Sequence, residues 1–127
     1  MKSGVVYFRF VAIVLIVFGV LALLLPDQYL SMLGADASTG GRLWGRAFGA
    51  VSLAFGVMIW MLDPASHQRQ RRIAASGAAL AFALTGLTDV VSVISGDLPP
   101  VGWTFVAFNA AMVGLALYYW ATPAPSH

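Results

Sequence analysis

Four long apolar stretches dominate this sequence, and polar or proline-containing segments separate them. A helix of about 20 residues is about 30 Å long, which matches the hydrocarbon core of a bilayer. We therefore predict transmembrane helices at residues 5–25, 42–62, 73–94 and 101–120. The predicted fold is an all-α integral membrane protein with four transmembrane helices in an up-down bundle. We expect residues 1–127 to form this single domain.

The composition excludes a water-soluble fold and several kinds of site. Only 9% of the residues are charged and 60% are hydrophobic, which leaves too few charges to cover a globule in water. Because there is no cysteine, disulfides, thiolate metal sites, iron–sulfur clusters and cysteine nucleophiles are excluded. The net charge of +2 makes no nucleic-acid-binding surface.

The inventory of catalytic side chains is equally poor. The chain has no glutamate, and its two histidines, His67 and His127, lie in a polar loop and at the end of the C-terminal tail. No catalytic triad, carboxylate pair or metal-ligand spacing is found. The sequence therefore favours a protein without catalytic residues, a metal site or an evident cofactor of its own.

The distribution of lysine and arginine predicts the orientation in the membrane, because basic residues are retained on the cytoplasmic side. With the amino terminus inside, five of the seven basic residues are cytoplasmic: Lys2, Arg9, Arg69, Arg71 and Arg72. Only Arg42 and Arg46 lie at the outer face. We therefore predict that both termini lie in the cytoplasm.

The segment after the first span allows one alternative. Residues 35–37 have the A-x-A form of a signal-peptide cleavage site. The apolar run is longer than a usual signal core, however, and the motif lies too far beyond it. We therefore predict a membrane helix there, followed by a short amphipathic segment at residues 28–33 on the outer surface.

Small residues recur along the second span and predict close helix packing. Gly45, Gly49 and Gly56 lie on a stripe that lets a neighbouring backbone approach. Packing inside the bundle is the first interpretation, and contact with a second copy or another membrane protein is the alternative.

Polar residues inside the spans form the candidate site, because an ionisable side chain in a membrane is costly and needs a partner. Arg46, Asp89 and Asn109 all fall in the outer half of their spans, and Thr85 and Ser92 share one side of the third span with Asp89. We predict an Arg46–Asp89 ion pair, with Asn109 and the hydroxyls beside it, in a pocket that opens outward. Such a cluster can fix helix register, bind a ligand or, through Asp89, couple to protons.

Four segments of the chain also resemble a known family. They are the LLLP end of the first span, the following DQYLSMLGADASTGG, Arg46-x-x-Gly49 with Gly56, and GLTDVVSVISGDLP at the end of the third span. Together they resemble the DoxX-like group of small four-helix bacterial membrane proteins, which includes members of unknown function. For its better-known members the resemblance implies a membrane subunit of a quinone-linked oxidoreductase, with a quinone as the associated cofactor. It implies no catalytic residues. Several relatives carry Arg near Asp89 or Glu near Asn109, whereas this chain has Asp and Asn there, so the resemblance assigns no site to these two positions.

Two functional hypotheses follow. The first is a non-catalytic membrane subunit or accessory protein that packs on a membrane-protein partner or a second copy. The alternative is a binder or carrier of a small amphipathic molecule, a quinone or a lipid, in the outward-facing polar pocket. A proton-coupled drug exporter is disfavoured, because such proteins have a carboxylate in the first span, where this chain has only Arg9.

Overall fold

The computed structural model describes residues 2–33, 39–64 and 66–124. Within these ranges the chain is helical and forms no strand. The helices are α1 (Lys2–Leu24), α2 (Pro26–Met32), α3 (Thr39–Met61), α4 (Gln68–Ile94) and α5 (Gly102–Ala121). The A-x-A motif at residues 35–37 lies outside the described residues.

The helices follow the apolar stretches, but their ends are shifted. α4 begins at Gln68 rather than at residue 73, because glutamine and arginine are good helix formers and extend the helix beyond the apolar residues. α1 ends at Leu24, since Pro26 disfavours helical backbone at Leu25, whose φ is −129° and ψ is 59°. Pro26 then starts α2, where its missing N–H removes no helical hydrogen bond. α2 covers most of the predicted amphipathic segment.

Three helical segments are long and apolar enough to cross a membrane, judged by length and composition. They are Gly4–Leu24, Gln68–Ile94 and Gly102–Ala121, while the apolar segment Gly45–Met61 of α3 is shorter. The structure therefore supports an all-helical membrane protein, and the four-helix transmembrane bundle stays a prediction.

The chain divides into two compact units, and the first contains the start of α1 together with α4 and α5. α4 and α5 form an antiparallel hairpin, since Gly86 lies beside Asn109 and Gly102 beside Val93. The connection turns at Gly96, whose φ of +84° favours glycine. The buried apolar residues of this unit are Tyr7, Phe8, Ala74, Ala75, Ala78, Phe82, Met112, Ala116 and Tyr119. Because α4 contributes mostly alanine to this core, the two helices can pack closely.

The second unit contains the rest of α1 together with α2 and α3. α1 and α3 cross at Gly19 and Gly49, where the two backbones are in direct contact. A Cβ added at Gly19 would lie 2.8 Å from the Gly49 carbonyl oxygen, and one at Gly49 would lie 2.7 Å from the Gly19 carbonyl oxygen. An exposed ion pair joins α3 to α2, with Arg42 Nε 2.6 Å from Asp27 Oδ1. Pairs this exposed contribute little to stability.

Candidate functional site

Asn109 and Asp89 form a polar link between α5 and α4. Asn109 is only 5% exposed, and its Nδ2 donates to Asp89 Oδ2 at 2.9 Å and to the Phe105 carbonyl at 2.8 Å. Gly86 provides the space, because a Cβ there would lie 3.1 Å from the Asn109 Cβ. A hydrogen bond to a carboxylate is stronger than a neutral one, so this link holds the two helices in register.

The two hydroxyl residues predicted for this cluster differ, because Thr85 bonds through its hydroxyl and Ser92 through its backbone carbonyl. Thr85 Oγ1 donates to the Ala81 carbonyl at 2.8 Å, one turn earlier in α4. The carbonyl of Ser92 accepts a hydrogen bond from the Leu98 amide at 3.0 Å, which closes the turn after α4. The Thr85 hydroxyl therefore stabilises local backbone in this structure.

Arg46 lies in α3, in the second unit, and it is exposed. The predicted ion pair with Asp89 would join residues of the two units. That pair, and the outward pocket built on it, stay predictions.

Arg71 is buried, which the sequence did not predict. There Arg71 was counted only as one of the basic residues on the cytoplasmic side. It is 5% exposed, and its Nε donates to the Tyr119 carbonyl at 3.0 Å while Nη2 donates to Thr122 Oγ1 at 3.1 Å. Its guanidinium carbon lies 5.0 Å from the Tyr119 ring centroid. Arg71 thus caps the carboxyl end of α5, where unpaired carbonyls and the helix dipole favour a cation. The available signal was its spacing from the alanines at 74, 75 and 78, which places it on the packed side of α4.

Arg9 makes the same kind of contact in the second unit. Its Nη1 donates to the Trp60 carbonyl at 2.9 Å, and its guanidinium carbon lies 4.2 Å from the Trp60 ring centroid. In each unit, therefore, an arginine near the start of one helix binds the carboxyl end of another helix and contacts an aromatic ring there. These arginines hold helix ends together in addition to adding charge.

The glycines predicted for helix packing differ in their surroundings. A Cβ at Gly49 would contact α1 backbone, and one at Gly56 would lie 2.8 Å from Ile16 Cγ1. At Gly45, which is buried, a Cβ would meet no atom of the described residues within 4 Å. Gly19, the partner of Gly49 in α1, was missed because it stands alone in the first span, without a repeat at helical spacing.

α4 presents a regular line of large aliphatic side chains, which we call the leucine stripe. Its members recur at alternating intervals of four and three residues, and each is between 56% and 73% exposed. They are Leu80, Leu84, Leu87, Val91 and Ile94. Every leucine of α4 lies on this stripe.

An open apolar groove of about 570 Å³ runs between α4 and α5. We call it the α4–α5 groove, and its lining residues are Ala75, Ser76, Ala79, Leu80, Ala83, Val113, Leu117 and Trp120. The guanidinium carbon of Arg72 lies 5.4 Å from the Trp120 ring centroid. One end of the groove therefore carries a cation.

Comparison with protein families, with curated proteins and with solved structures finds no match to this chain. Within the described ranges, no group of three or more His, Cys, Asp or Glu side chains could hold a metal ion. The function of the chain has to be inferred from its own surfaces and polar contacts.

Proposed function

We propose that this chain is a small integral membrane subunit or accessory protein of a membrane complex, without catalytic residues of its own. It binds a helix of another membrane protein through the leucine stripe of α4. The observation that carries this proposal is the regular spacing of the exposed large aliphatic side chains on that helix.

The spacing matters because helices that pack side by side repeat their contacts every 3.5 residues. The leucine stripe follows this period from Leu80 to Ile94. Lipid chains would accept large aliphatic residues at any exposed position of α4, yet every leucine of the helix is on one line. In a bilayer, close packing between such surfaces is itself a source of helix association.

The polar side chains inside the helices support a structural role. Asn109 links α5 to α4 through Asp89, Thr85 bonds to its own helix, and Arg71 caps α5. Among the described residues, each buried side-chain nitrogen or oxygen has a hydrogen-bond partner. These polar side chains therefore form hydrogen bonds within and between helices, as a structural role requires.

The proposal also covers the number of transmembrane helices and their orientation in the membrane. α3 is the fourth transmembrane helix, because its 23 residues extend about 34 Å. The four long helices form an up-down bundle in a bacterial inner membrane with both termini cytoplasmic, supported by the five basic residues assigned to that side. The DoxX-like resemblance adds that the complex is a quinone-linked oxidoreductase, whose quinone is bound by the complex.

Purification from native membranes tests the proposal. When the tagged full chain is extracted in mild detergent, one membrane protein should co-purify with it in fixed stoichiometry. The double variant Leu84→Ala and Leu87→Ala should lose that partner, because both changes remove stripe side chains. The control Leu24→Ala and Leu115→Ala removes two exposed leucines elsewhere and should retain it. A wild-type monomer without a partner, or equal losses in both variants, would contradict the proposal.

The second candidate function is binding of a small amphipathic molecule, a quinone or a lipid, at the predicted outward pocket. Asp89 favours it, because a half-buried carboxylate within an apolar helix is a functional candidate by default. Native mass spectrometry should then show a bound molecule that is lost in Asp89→Leu and in Arg46→Leu. If the two residues are paired, the double variant should recover part of the stability that each single variant loses. Purely additive losses would exclude the ion pair.

A further inference from the structure

The α4–α5 groove is an open apolar depression with a cation at one end. Trp120 lines the groove, and the guanidinium of Arg72 lies over its ring. Residues spaced by three or four positions share one side of a helix. On α4 this side carries Arg69, Arg72, Ser76, Ala79 and Ala83. Two arginines therefore precede the small residues of the groove on the same side of the helix.

The length of the groove indicates what kind of molecule fills it. On α4 the groove is lined from Ala75 to Ala83, and Arg72 lies about one turn before its end. The distance from Arg72 to Ala83 is about 16 Å at 1.5 Å per residue, which is about half of a 30 Å hydrocarbon core. That is the depth of one leaflet. A partner helix that crosses the whole membrane along this line would also cover the Arg72 guanidinium and remove its water, which is costly. A lipid in one leaflet matches both the length and the position of the charge.

The two arginines are available to an anion. Both are exposed, and the described acidic residues form no salt bridge with them. The nearby carboxylate of Asp63 lies 3.3 Å from His67 Nδ1 instead. Guanidinium groups bind phosphate oxygens through paired hydrogen bonds, and tryptophan is typical of the depth at which lipid headgroups lie.

We propose that the α4–α5 groove binds one anionic phospholipid. Arg72, with Arg69, binds the phosphate, and an acyl chain lies along Ala79 and Ala83 between α4 and α5. The proposal is independent of the subunit role, since only Leu80 belongs to both the groove and the leucine stripe.

Native mass spectrometry of the full chain, titrated with phosphatidylglycerol or with phosphatidylcholine in detergent, tests the charge. We expect one phosphatidylglycerol per chain and weaker binding of phosphatidylcholine. Arg72→Gln should weaken phosphatidylglycerol binding about five- to tenfold. The control Arg42→Gln removes an exposed arginine outside the groove and should leave binding unchanged. Equal effects of the two variants, or equal binding of the two lipids, would overturn the proposal.

A second pair of variants tests the apolar part of the α4–α5 groove without changing its charge. Ala79→Phe places a ring in the middle of the groove and should weaken the one-to-one complex strongly, whereas Leu115→Phe places a ring on α5 outside the groove and should not. Circular dichroism checks that both variants fold, and Ser76→Leu replaces Ala79→Phe if that variant does not. Unchanged lipid binding in Ala79→Phe would overturn the proposal. So would displacement of the lipid by millimolar inorganic phosphate, because binding would then need only an anion.

Discussion

Replacement of Gly49 by alanine should weaken the α1–α3 crossing. The new Cβ would lie 2.7 Å from the Gly19 carbonyl oxygen and 2.9 Å from the Ala22 Cβ. Non-bonded carbon atoms prefer about 3.5–4.0 Å, so the helices have to separate. Overpacking of this kind costs about 1–3 kcal/mol. The backbone atoms on the α1 side cannot rotate away, which favours the upper half of that range.

Gly45→Ala is the control on the same helix, because a Cβ there meets no atom of the described residues within 4 Å. Both substitutions gain helix propensity of about 1 kcal/mol, which cancels when the two variants are compared. Their difference in unfolding free energy should therefore be about 2–3 kcal/mol, with Gly49→Ala the less stable. Unfolding in mixed micelles by titration with a denaturing detergent, followed by circular dichroism, measures it. Equal stability of the two variants would show that the backbones do not touch at this position.

Three further predictions concern the polar contacts and the topology. In the same unfolding assay Asn109→Leu should cost about 1–3 kcal/mol, because it leaves a half-buried carboxylate without its donor; a neutral result would show that the link does not form. Arg71→Lys should cost about 1–2 kcal/mol, since lysine keeps the charge but cannot donate to two groups in the same fork geometry, while the exposed control Arg69→Lys should be neutral. Equal stabilities would show that Arg71 acts only as a charge. Cysteine at Ser38 should react with an impermeant thiol reagent in intact cells and cysteine at Ser66 should not; reversed labelling would overturn the orientation.

Hydropathy predicted the positions of the long helices because lipid requires long apolar segments. It could not predict the start of α4, since Gln68 and the arginines after it extend the helix without adding apolar surface. The pairing of Asn109 with Asp89 is consistent with the rule that polar groups in a span need partners. The positions of both residues in their spans were visible in the sequence.

Two features depended on contacts that no local pattern encodes. Arg71 is buried because the end of α5 lies beside it, and a count of basic residues registers charge but not which arginine is buried. No second glycine lies at helical spacing from Gly19 in α1. Its role became visible only from its contact with Gly49 in α3. Helix crossings of this kind involve residues far apart in the chain, and a pattern within one helix does not specify them.

A photo-crosslinking scan of α4 in native membranes tests the proposed subunit role most directly. A photoreactive amino acid is placed in turn at Leu80, Leu84, Leu87 and Val91, with the exposed Leu115 of α5 as the control away from the stripe. We predict one adduct of constant mass at the stripe positions and none at Leu115. Adducts that form at every position alike, or at none of them, would contradict a partner bound along the leucine stripe.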